Sequence, residues 1–424
     1  MKQIKLLVVF VFCAVVLCSG CLGTGFLLCG CLGMGGGTGG NSENSDNETD
    51  GTNNGGIETE AEEGECVQNQ TVFLKGAWVP TVYNITYPAY PTQNSAVLKQ
   101  GIDDIVASAQ NAGLNALFFQ VRPCADSLYK SKYFPWSKYL SGGQGVSPNN
   151  NFDPLAYIIE RCHSAGLKLH AWINPYRITA LSTDKIIPSH PASVVPEITF
   201  NAGGKLYFNP GELAARDLII AGVSEIVENY DVDGIQFDDY FYPENMADED
   251  LFTFNGSSNG INNLADWRRN NIDELIQQTY LAIKSIKPDV LFGVSPSGVW
   301  ANKFNNPLGS DTWGFESYSE IYADSRGWVK KGYVDYIAPQ LYWYIGQTGS
   351  DFITTFNWWR DVVGGTDTAL YIGLAGYKQD DTWKNSTEIT NQANLAANNA
   401  GGIIVYNFND LQKPSVWYAV KNSG

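Results

Sequence analysis

The chain has 424 residues, of which 44% are hydrophobic, so it can bury a large core and form one to three domains. Its formal charge of −17 argues against nucleic acid as a partner, because phosphate binding requires clustered Lys and Arg. Three histidines and cysteines without metal-type spacing disfavour a metal site, and we expect no metal and no cofactor.

Much of the negative charge is concentrated in one short segment. Residues 41–66 contain nine acidic side chains and no basic one. The rest of the chain is only mildly acidic, so its charge is compatible with a neutral substrate.

The N-terminus has the three parts of a secretory signal. The basic opening MKQIK is followed by the apolar run LLVVFVFCAVVLCSGC, which ends in small residues before Cys21. The segment resembles a bacterial lipoprotein signal with lipidation at Cys21, and Cys31 is a second candidate because Leu28 precedes it at a suitable distance. A plain signal peptide and an N-terminal membrane anchor are the alternatives. Each of the three exports the body of the protein.

The domain boundaries follow from this pattern. We assign residues 1–32 to a signal or lipoprotein leader, 33–70 to a low-complexity acidic linker and 71–424 to the folded domain. The linker is rich in Gly, Asn, Ser and Glu, so it cannot bury enough apolar area to fold and is expected to be disordered. We therefore expect a monomer that is tethered by a lipid or hydrophobic anchor to the outer face of the cytoplasmic membrane or the cell envelope.

From residue 72 onward, apolar runs alternate with segments of helical spacing. The runs predict eight strands at 72–79, 114–121, 167–174, 232–239, 290–295, 335–343, 369–375 and 403–408. The helical segments are 95–113, 153–166, 212–230, 268–288, 317–332, 350–365 and 385–402, with a final one at 415–422.

This alternation predicts an α/β fold, and specifically a (β/α)8 TIM barrel. Continuously apolar strands between amphipathic helices are typical of parallel strands that are buried on both faces, and eight units are enough to close a ring. The alternative is an open doubly wound sheet. Such a sheet normally carries a glycine-rich phosphate loop after its first strand, and the segment WVPTVYNITYP has none.

Polar and aromatic residues follow several of the predicted strands, where a barrel places its functional groups. These residues are Arg122, Asn174, Tyr176, Arg177, Asp238, Asp239, Ser295, Gln340, Tyr342, Trp343 and Asn407. The connections after strands two, three and four are long, and long loops in a compact domain are commonly functional. They could form the walls of a substrate groove.

The adjacent pair Asp238–Asp239 is the strongest catalytic candidate. Neighbouring carboxylates resist joint ionisation, so one of them can keep a proton at neutral pH while the other stays charged. Glycoside hydrolysis uses this division of labour, and the aromatic residues nearby suit the C–H faces of sugar rings. The structural alternative is that one aspartate caps a turn while the other forms an ion pair with Arg122 or Arg177.

Other candidates also have structural alternatives. Arg122 could form an ion pair or contact substrate, because a charge at the end of an apolar strand needs an anionic partner. Gln340 and Tyr342 lie on one strand face and could bind a sugar substituent or simply fill the barrel top. Trp343, in the loop that follows, could serve as a sugar platform or pack in the core.

Six segments of the chain resemble the glycosyl hydrolase-like family 10 domain. They are KGAWVPTVYNITYP, FFQVRPCADSLYKSKYFPWSKYLSG, LHAWINPYR, VDGIQFDDYFYP, GVSPSGVW and YIAPQLYW, and the resemblance covers residues 72–420. It implies a barrel glycosidase, and members of this family have been linked to peptidoglycan glycan strands already stripped of peptides. It implies the active-site positions Arg122, Asn174, Tyr176, Arg177, Asp238, Asp239, Gln340 and Tyr342.

The aspartate pair is also similar, more locally, to that of barrel N-acetylhexosaminidases, which use the 2-acetamido group of the substrate as nucleophile. This similarity implies that Asp238 orients the acetamido nitrogen, that Asp239 protonates the leaving oxygen and then activates water, and that Tyr342 holds the acetamido oxygen. The predicted function is thus hydrolysis of a 2-acetamido-sugar polysaccharide, with peptide-free peptidoglycan strands as the favoured substrate. Two alternatives are a non-catalytic carbohydrate-binding surface lipoprotein and a glycosidase for another extracellular polysaccharide.

Overall fold

Eight apolar segments of the chain form parallel strands that close into a barrel, as the sequence predicts. The computed structural model describes residues 72–424, so the predicted leader, the linker and the lipidation candidates Cys21 and Cys31 lie outside the described residues. The barrel strands are β1 (Leu74–Val79), β2 (Ala116–Arg122), β3 (Lys168–Ile173), β6 (Gly234–Phe237), β7 (Leu291–Val294), β8 (Tyr336–Ile337), β9 (Ala369–Ala375) and β10 (Gly402–Tyr406), while β4 (Thr199–Ala202) and β5 (Lys205–Phe208) form a separate hairpin. The order around the ring is β1-β10-β9-β8-β7-β6-β3-β2, which returns to β1.

The helices surround this ring and connect its strands. In chain order they are α1 (Ser95–Ala112), α2 (Lys138–Ser141), α3 (Pro154–Ser164), α4 (Pro191–Val194), α5 (Leu213–Asn229), α6 (Leu251–Ser257), α7 (Leu264–Ile286), α8 (Ser317–Glu320), α9 (Ser325–Lys330), α10 (Phe352–Val363), α11 (Glu388–Asn399) and α12 (Pro414–Asn422). Helix α3 begins as the sequence predicts, because the Asp153 side chain accepts hydrogen bonds from the backbone N–H groups of Leu155 and Ala156. No helix within residues 72–424 combines the length and apolarity needed to cross a bilayer.

The interior of the ring is filled by side chains from alternate strand positions. Phe118 packs against His170 with ring centroids 4.6 Å apart, and the His170 Nδ1 lies 3.1 Å from the Tyr336 hydroxyl. Burial lowers the pKa of His170 to about 4, so this histidine is a neutral packing residue. Gly234 and Gly293 lie on neighbouring strands and leave room for the rings of His170 and Tyr336. The barrel is thus a packed core, and the space for a ligand lies above it.

Two local features differ from the sequence-based prediction. The apolar run predicts the sixth barrel strand over 335–343, but β8 contains only Tyr336 and Ile337. Pro339 has no N–H to give to the ladder, so regular pairing stops, and Gln340 forms isolated bridges to Ser297 and Gly373.

The second difference is the additional β-hairpin in the connection after β3. Strands β4 and β5 pair antiparallel. Gly203 and Gly204 both have positive φ, at 56° and 78°, which is the backbone geometry of a two-residue hairpin turn. A bridge between Arg177 and Tyr207 attaches this hairpin to the chain that leaves β3. The connection is therefore an ordered wall at the carboxyl end of the barrel.

The packing inside the ring predicts a large effect of a single methyl group. In Gly293→Ala the new Cβ would lie 2.1 Å from the fully buried Tyr336 ring, so either the ring or the strand must move. We expect the free energy of unfolding to fall by about 1–3 kcal/mol, measured by chemical denaturation.

Gly256→Ala is the matched control for this substitution. Gly256 lies in α6, no atom lies within 4 Å of the place that a Cβ would take there, and alanine is the better helix former. Equal stability of the two variants would contradict the tight packing of Gly293 against Tyr336.

Candidate active site

The carboxyl ends of the barrel strands surround a cleft of about 320 Å³. Its lining combines aromatic rings with a few polar and charged side chains, which is typical of a binding site for a polar ligand. The lining residues are Trp78, Val82, Tyr83, Ile85, Gln120, Trp172, Arg177, Asp238, Asp239, Tyr240, Ser295, Gln340, Tyr342, Tyr377 and Tyr406.

Asp238 is placed in the cleft by the alternation of β6. Gln236 faces the barrel interior, where its amide donates to the Ser295 hydroxyl at 3.2 Å, while Phe237 faces outward and packs on Phe292. Two residues after Gln236, the Asp238 side chain therefore points inward. It is 3% exposed, and it reaches the cleft through a small part of its surface.

Three N–H groups point at the Asp238 carboxyl. Trp172 Nε1 donates to Oδ2 at 3.2 Å, Asn174 Nδ2 donates to the same oxygen, and the backbone N–H of Tyr240 lies 3.4 Å from Oδ1. Trp172 and Asn174 are two residues apart at the end of β3, so they share its inward face. The carboxyl group is thereby held in one orientation.

A chain of amide side chains fixes the direction of the bond from Asn174. The backbone N–H groups of Thr81 and Val82 both donate to Gln120 Oε1, at 2.8 and 2.9 Å. Gln120 must therefore present its NH₂ group to Asn174 Oδ1, which lies 2.7 Å away. Asn174 then has only its NH₂ group left for Asp238. This series of hydrogen bonds must end at an acceptor, and the acceptor is a carboxylate oxygen of Asp238.

Asp239 has a different environment although it is the next residue. Its side chain is half-buried and lines the cleft beside Gln340, whose amide also donates to the Ser295 carbonyl at 3.0 Å. Strand alternation and the end of β6 turn the two carboxyl groups to different surroundings. Asp238 is immobilised, whereas Asp239 keeps access to whatever occupies the cleft.

Both carboxyl groups have raised pKa values. Burial, together with the charge of Asp239, raises the pKa of Asp238 to about 7, and loss of hydration raises the pKa of Asp239 to about 6. The charge of Arg177 opposes both shifts without cancelling them. The two groups interact and titrate as a pair, which carries about one proton between pH 6 and 7.

Neither aspartate takes part in any ion pair found within residues 72–424. The structural alternative, in which one aspartate forms an ion pair with Arg122 or Arg177, is therefore not observed among these residues. An acidic pair that is buried at the mouth of a barrel without a salt bridge costs folding free energy. Such a cost is typical of functional groups.

Aromatic rings form the rest of the cleft. Tyr342, Tyr377 and Tyr406 make a cluster with ring centroids 6.0 to 6.2 Å apart, and Trp78 lies 6.3 Å from Tyr406. Burial and neighbouring acidic groups raise the pKa of Tyr342 well above its usual value, so its hydroxyl is a neutral donor at physiological pH. The rings offer flat apolar faces and the hydroxyl groups offer polar edges, which matches the two sides of a sugar ring.

The structure brings together most, but not all, of the residues singled out in the sequence. Asp238, Asp239, Arg177, Gln340 and Tyr342 line the cleft. Asn174 is fully buried behind it and acts through Asp238, in the hydrogen-bond chain given above.

Arg122 does not reach the cleft, and a bulge in β2 explains why. Gln120 pairs with Trp172 and faces inward, but the register shifts before Arg122 pairs with the outward-facing Ile173. The guanidinium group therefore lies outside the ring over the Phe134 ring, 4.4 Å from its centroid.

Tyr176 and Trp343 also lie outside the cleft lining. Tyr176 is fully buried in the core that surrounds the ring, with Arg216 of α5 nearby. Trp343 is half-buried and packs on Gly298, where a Cβ atom would lie 2.6 Å from its ring. The predicted substrate contacts of these two residues are therefore not supported by their positions.

Several cleft residues are not identified by the sequence analysis. Gln120 and Trp172 lie inside strands, where nothing but the inward direction of their side chains distinguishes them from packing residues. Tyr377 and Tyr406 follow β9 and end β10, at the same level as the polar strand ends. Counting positions in steps of two from each strand end finds Trp172 beside Asn174.

The chain is similar to known glycoside hydrolases. A model of the family Glycosyl hydrolase-like 10 matches residues 73–390. Glycosyl hydrolase YngK of Bacillus subtilis (strain 168) is 40% identical over 334 residues, which are 76% of this chain and 65% of that protein. The chain thus spans less than two thirds of the length of the Bacillus protein. Glycosyl hydrolase DigH of Escherichia coli (strain K12) is 38% identical over 377 residues, which are 82% of this chain and 85% of that protein.

Solved structures share the barrel at low sequence identity. The glycoside hydrolase domain of PgaB (BpsB) from Bordetella bronchiseptica aligns with a TM-score of 0.53 and 12% identity, covering 83% of this chain and 98% of that domain. The catalytic domain of β-amylase from Paenibacillus polymyxa also gives a TM-score of 0.53 at 12% identity, covering 83% of this chain and 97% of that domain. At these identities the similarity establishes the fold alone.

The raised pKa of Asp238 predicts a pH-dependent gain in stability for Asp238→Asn. The folded protein holds the Asp238 proton up to about pH 7, whereas an unfolded aspartate loses it near pH 3.8. Asp238 therefore lowers the stability of the wild type as the pH rises from 3.8 to 7, and the amide lacks this contribution. We expect the free energy of unfolding of the variant to be larger than that of the wild type by about 1–3 kcal/mol at about pH 8. At about pH 4 the two values should be nearly equal, and chemical denaturation measures both.

Asp233→Asn is a control for which the opposite change in stability is expected. Asp233 lies at the other end of β6, and although burial opposes it, hydrogen bonds from Leu169, His163 and Lys168 hold its pKa below the usual value. This carboxylate stabilises the fold above its unfolded pKa, and the contribution is lost on acidification. Asp233→Asn should therefore destabilise the protein at about pH 8. A loss of the same size in both variants at that pH would rule out an uncompensated charge on Asp238.

Proposed function

This chain belongs to the glycosyl hydrolase-like 10 family, and on that premise we propose that it hydrolyses the glycosidic bonds of a 2-acetamido-sugar polysaccharide, namely peptide-free glycan strands of peptidoglycan. Its assignment as a TIM-barrel glycoside hydrolase rests on the family and on the closed eight-stranded ring. The substrate and the catalytic roles are proposals that rest on the geometry of the cleft.

The observation that carries the proposal is the unequal pair of adjacent carboxyl groups in an aromatic cleft. Asp238 is fixed by three N–H groups, whereas Asp239 is half-buried beside Gln340 and open to the cleft. Both have pKa values near the working pH of a general acid and base. A binding protein would not require this arrangement, because raised pKa values cost stability and add nothing to neutral sugar binding.

The hydrogen bonds favour a different role for each carboxyl group in this proposal. Asp238 accepts from Trp172 and Asn174 through Oδ2, which favours its ionised form and leaves Oδ1 as the oxygen with the weaker protein contact. In the free protein the higher pKa of Asp238 places the shared proton of the pair on Asp238. A substrate N–H group that donates to Oδ1 would add a further donor to Asp238, which favours its ionised form and moves the proton to Asp239 in the complex. Asp239 is then the general acid, and Asp238 is the acceptor that orients a substrate N–H group.

A substrate nucleophile completes the chemistry. Asp238 and Asp239 are the only carboxyl groups among the described residues that line the cleft, and Asp238 is held too firmly to attack the anomeric carbon itself. The 2-acetamido carbonyl oxygen is available in the substrate and needs only to be oriented. Asp238 would accept the acetamido N–H, and the Tyr342 hydroxyl, which lines the same cleft, would bind the acetamido oxygen.

The reaction then has two steps that share one proton. In the first step the acetamido oxygen bonds to the anomeric carbon, the bond to the leaving oxygen breaks, and Asp239 gives its proton to that oxygen. In the second step Asp239 takes a proton from water, the water oxygen bonds to the anomeric carbon, and the bond to the acetamido oxygen breaks. The ionised Asp238 stabilises the positive charge that develops on the acetamido group in both steps.

The place of action in this proposal is outside the cytoplasm. The support comes from residues 1–32, whose basic start, apolar run and small residues before Cys21 have the pattern of an export signal. An envelope-bound enzyme would meet glycan strands without crossing a membrane, and the acidic linker would give the barrel reach from its anchor.

Substitution of either aspartate tests the catalytic assignment. We expect Asp239→Asn to lower the rate of hydrolysis of peptide-free glycan strands by about 10²–10⁴-fold, because the amide cannot donate or accept the transferred proton, and Asp238→Asn by a similar order. New reducing ends and product masses are the measurements.

Asp361→Asn provides the matched control for these substitutions. Its carboxylate is 77% exposed on α10, on the outside of the ring, and the variant should retain wild-type activity. Hydrolysis at the wild-type rate by both Asp238→Asn and Asp239→Asn would refute the catalytic assignment. Saturable binding of the strands by the wild type without any products would instead favour a carbohydrate-binding protein.

Removal of the acetyl groups from the substrate tests the source of the nucleophile. Chemically de-N-acetylated strands lack the acetamido oxygen, so we expect the wild-type rate to fall by about 10²-fold or more. Re-acetylation with acetic anhydride should restore hydrolysis, which excludes damage to the polymer as the cause. If the de-N-acetylated strands were cleaved at the original rate, a protein group would have to serve as nucleophile.

A further inference from the structure

The cleft is small compared with the polymer that is the proposed substrate. Its volume of about 320 Å³ is at the lower end of the volumes that hold a single small molecule. A polysaccharide must therefore leave the cleft over the rim of the barrel. The side chains at the rim determine whether it leaves on one side or on two.

The loop after β1 carries an exposed aromatic ring at one side of the cleft. Tyr83 lines the cleft and is about half exposed. Its hydroxyl donates to the Ala180 carbonyl oxygen at 3.2 Å, and its ring lies edge-on to that of Tyr139, with centroids 5.8 Å apart. The backbone φ of Tyr83 is 56°, in the left-handed region that residues other than glycine rarely adopt. Such strain is typical of functional sites, and here it accompanies a flat ring that is fixed at the edge of the cleft.

The connection after β7 carries exposed aromatic rings on the opposite side. Three strands separate β7 from β1 in either direction around the ring, so the two lie across from each other. The cleft reaches the end of β7 at Ser295, and the chain that continues from there contains Trp313, which is 63% exposed. Phe304 and Phe315 are exposed in the same connection. Exposed apolar side chains that are grouped, rather than scattered, indicate a binding surface.

Trp313 is held in place although most of its surface is exposed. Its backbone N–H donates at 2.9 Å to the carbonyl oxygen of Gly349, in the connection after β8 that also carries the cleft residue Tyr342. Gly349 has a φ of 90°, and a Cβ atom there would lie 2.8 Å from the indole Nε1. The indole therefore rests against backbone that has no side chain. A ring fixed in this way loses little conformational entropy when it binds a ligand.

We propose that a glycan strand crosses the mouth of the barrel from Tyr83 to Trp313 and is cleaved at an internal bond, so that the protein is an endo-acting glycosidase. The inference rests on the proposed function, because it takes a polysaccharide as the substrate. Asp238 and Asp239 follow β6 and line the cleft between the two aromatic sides. Sugar rings on one side of the cleaved bond stack on Tyr83, and rings beyond the cleft on the other side stack on Trp313 through their C–H faces.

The walls of the barrel mouth leave this path open. Strands β3 and β9 lie midway between β1 and β7 on the two sides of the ring. The hairpin of β4 and β5 belongs to the connection after β3, so it flanks the path instead of closing one of its ends. An exo-acting enzyme would need such a closed end, because contact with the end of a chain determines which bond it cleaves.

The products of the wild type test the crossing. Long peptide-free glycan strands are isolated by chromatography and digested, and their length distribution is followed by size-exclusion chromatography. Each internal cut divides a strand, so we expect the mean length to fall at once and fragments of intermediate length to appear before the shortest products.

Trp313→Ala tests the contact beyond the cleft. We compare kcat/KM on long strands with kcat/KM on the shortest oligosaccharide that the wild type cleaves. The ratio of the two should fall about tenfold, through KM and not through kcat, because a short substrate ends before it reaches Trp313. Trp313→Phe keeps a flat ring and should restore most of the ratio.

Trp417→Ala is the matched control. Trp417 is also exposed, but it lies on α12 outside the ring, and its removal should leave the ratio at the wild-type value. Chemical denaturation should give the Trp313 variants the same free energy of unfolding as the wild type, since the side chain they change is largely exposed.

Two results would overturn the inference and leave the proposed function intact. One is the release of short products from the start while the remaining strands keep their length, which would show cleavage from a chain end. The other is an equal loss, or no loss, of Trp313→Ala on long and short substrates. Failure of the wild type to cleave strands of any length would instead overturn the proposed function and the inference with it.

Discussion

Two backbone N–H groups at the end of β1 determine the chemistry of the aspartate that lies two strands beyond β2. The backbone N–H groups of Thr81 and Val82 can only donate, so the side-chain oxygen of Gln120 must accept from them. This orients the amide of Gln120, which orients that of Asn174, and the NH₂ group of Asn174 donates to Asp238. This series of hydrogen bonds crosses the ends of β1, β2, β3 and β6, which are neighbours in the ring. This hydrogen-bond chain keeps its direction only while those four strand ends stay in register.

This dependence explains why so much of the barrel is arranged around one carboxyl group. Burial favours the neutral acid, whereas the N–H groups of Trp172 and Asn174 favour the anion. Burial and the charge of Asp239 outweigh these donors, so the pKa of Asp238 rises to about 7 and the group changes its charge easily near neutral pH. A fully exposed aspartate would be ionised permanently, and one paired with an arginine would be ionised and neutralised, so neither could orient a developing cation as strongly.

The sequence predicts the parts of this arrangement that depend on local pattern. The eight apolar runs and the helices between them predict the ring, and the position of Asp238 and Asp239 after β6 predicts their place at its mouth. The sequence does not predict contacts that depend on register. A one-residue bulge turns Arg122 away from the cleft, and Pro339 ends β8 early, although both segments read as uninterrupted strands. The orientation of Gln120 depends on a tertiary hydrogen bond and has no sequence signal at all.

Adjacency in the chain is what separates the roles of the two aspartates. Consecutive residues at the end of a strand point to different surroundings, so the first can be tied to the barrel while the second stays open to the cleft. Adjacency also keeps the two groups close enough for the charge of Asp239 to raise the pKa of Asp238, which couples their titration. The strand end thus gives the pair both its coupling and its asymmetry. The guanidinium group of Arg177 lies at the same rim and moderates the charge of both carboxyl groups without forming an ion pair with either, so in the proposed mechanism their shared proton can pass to the substrate.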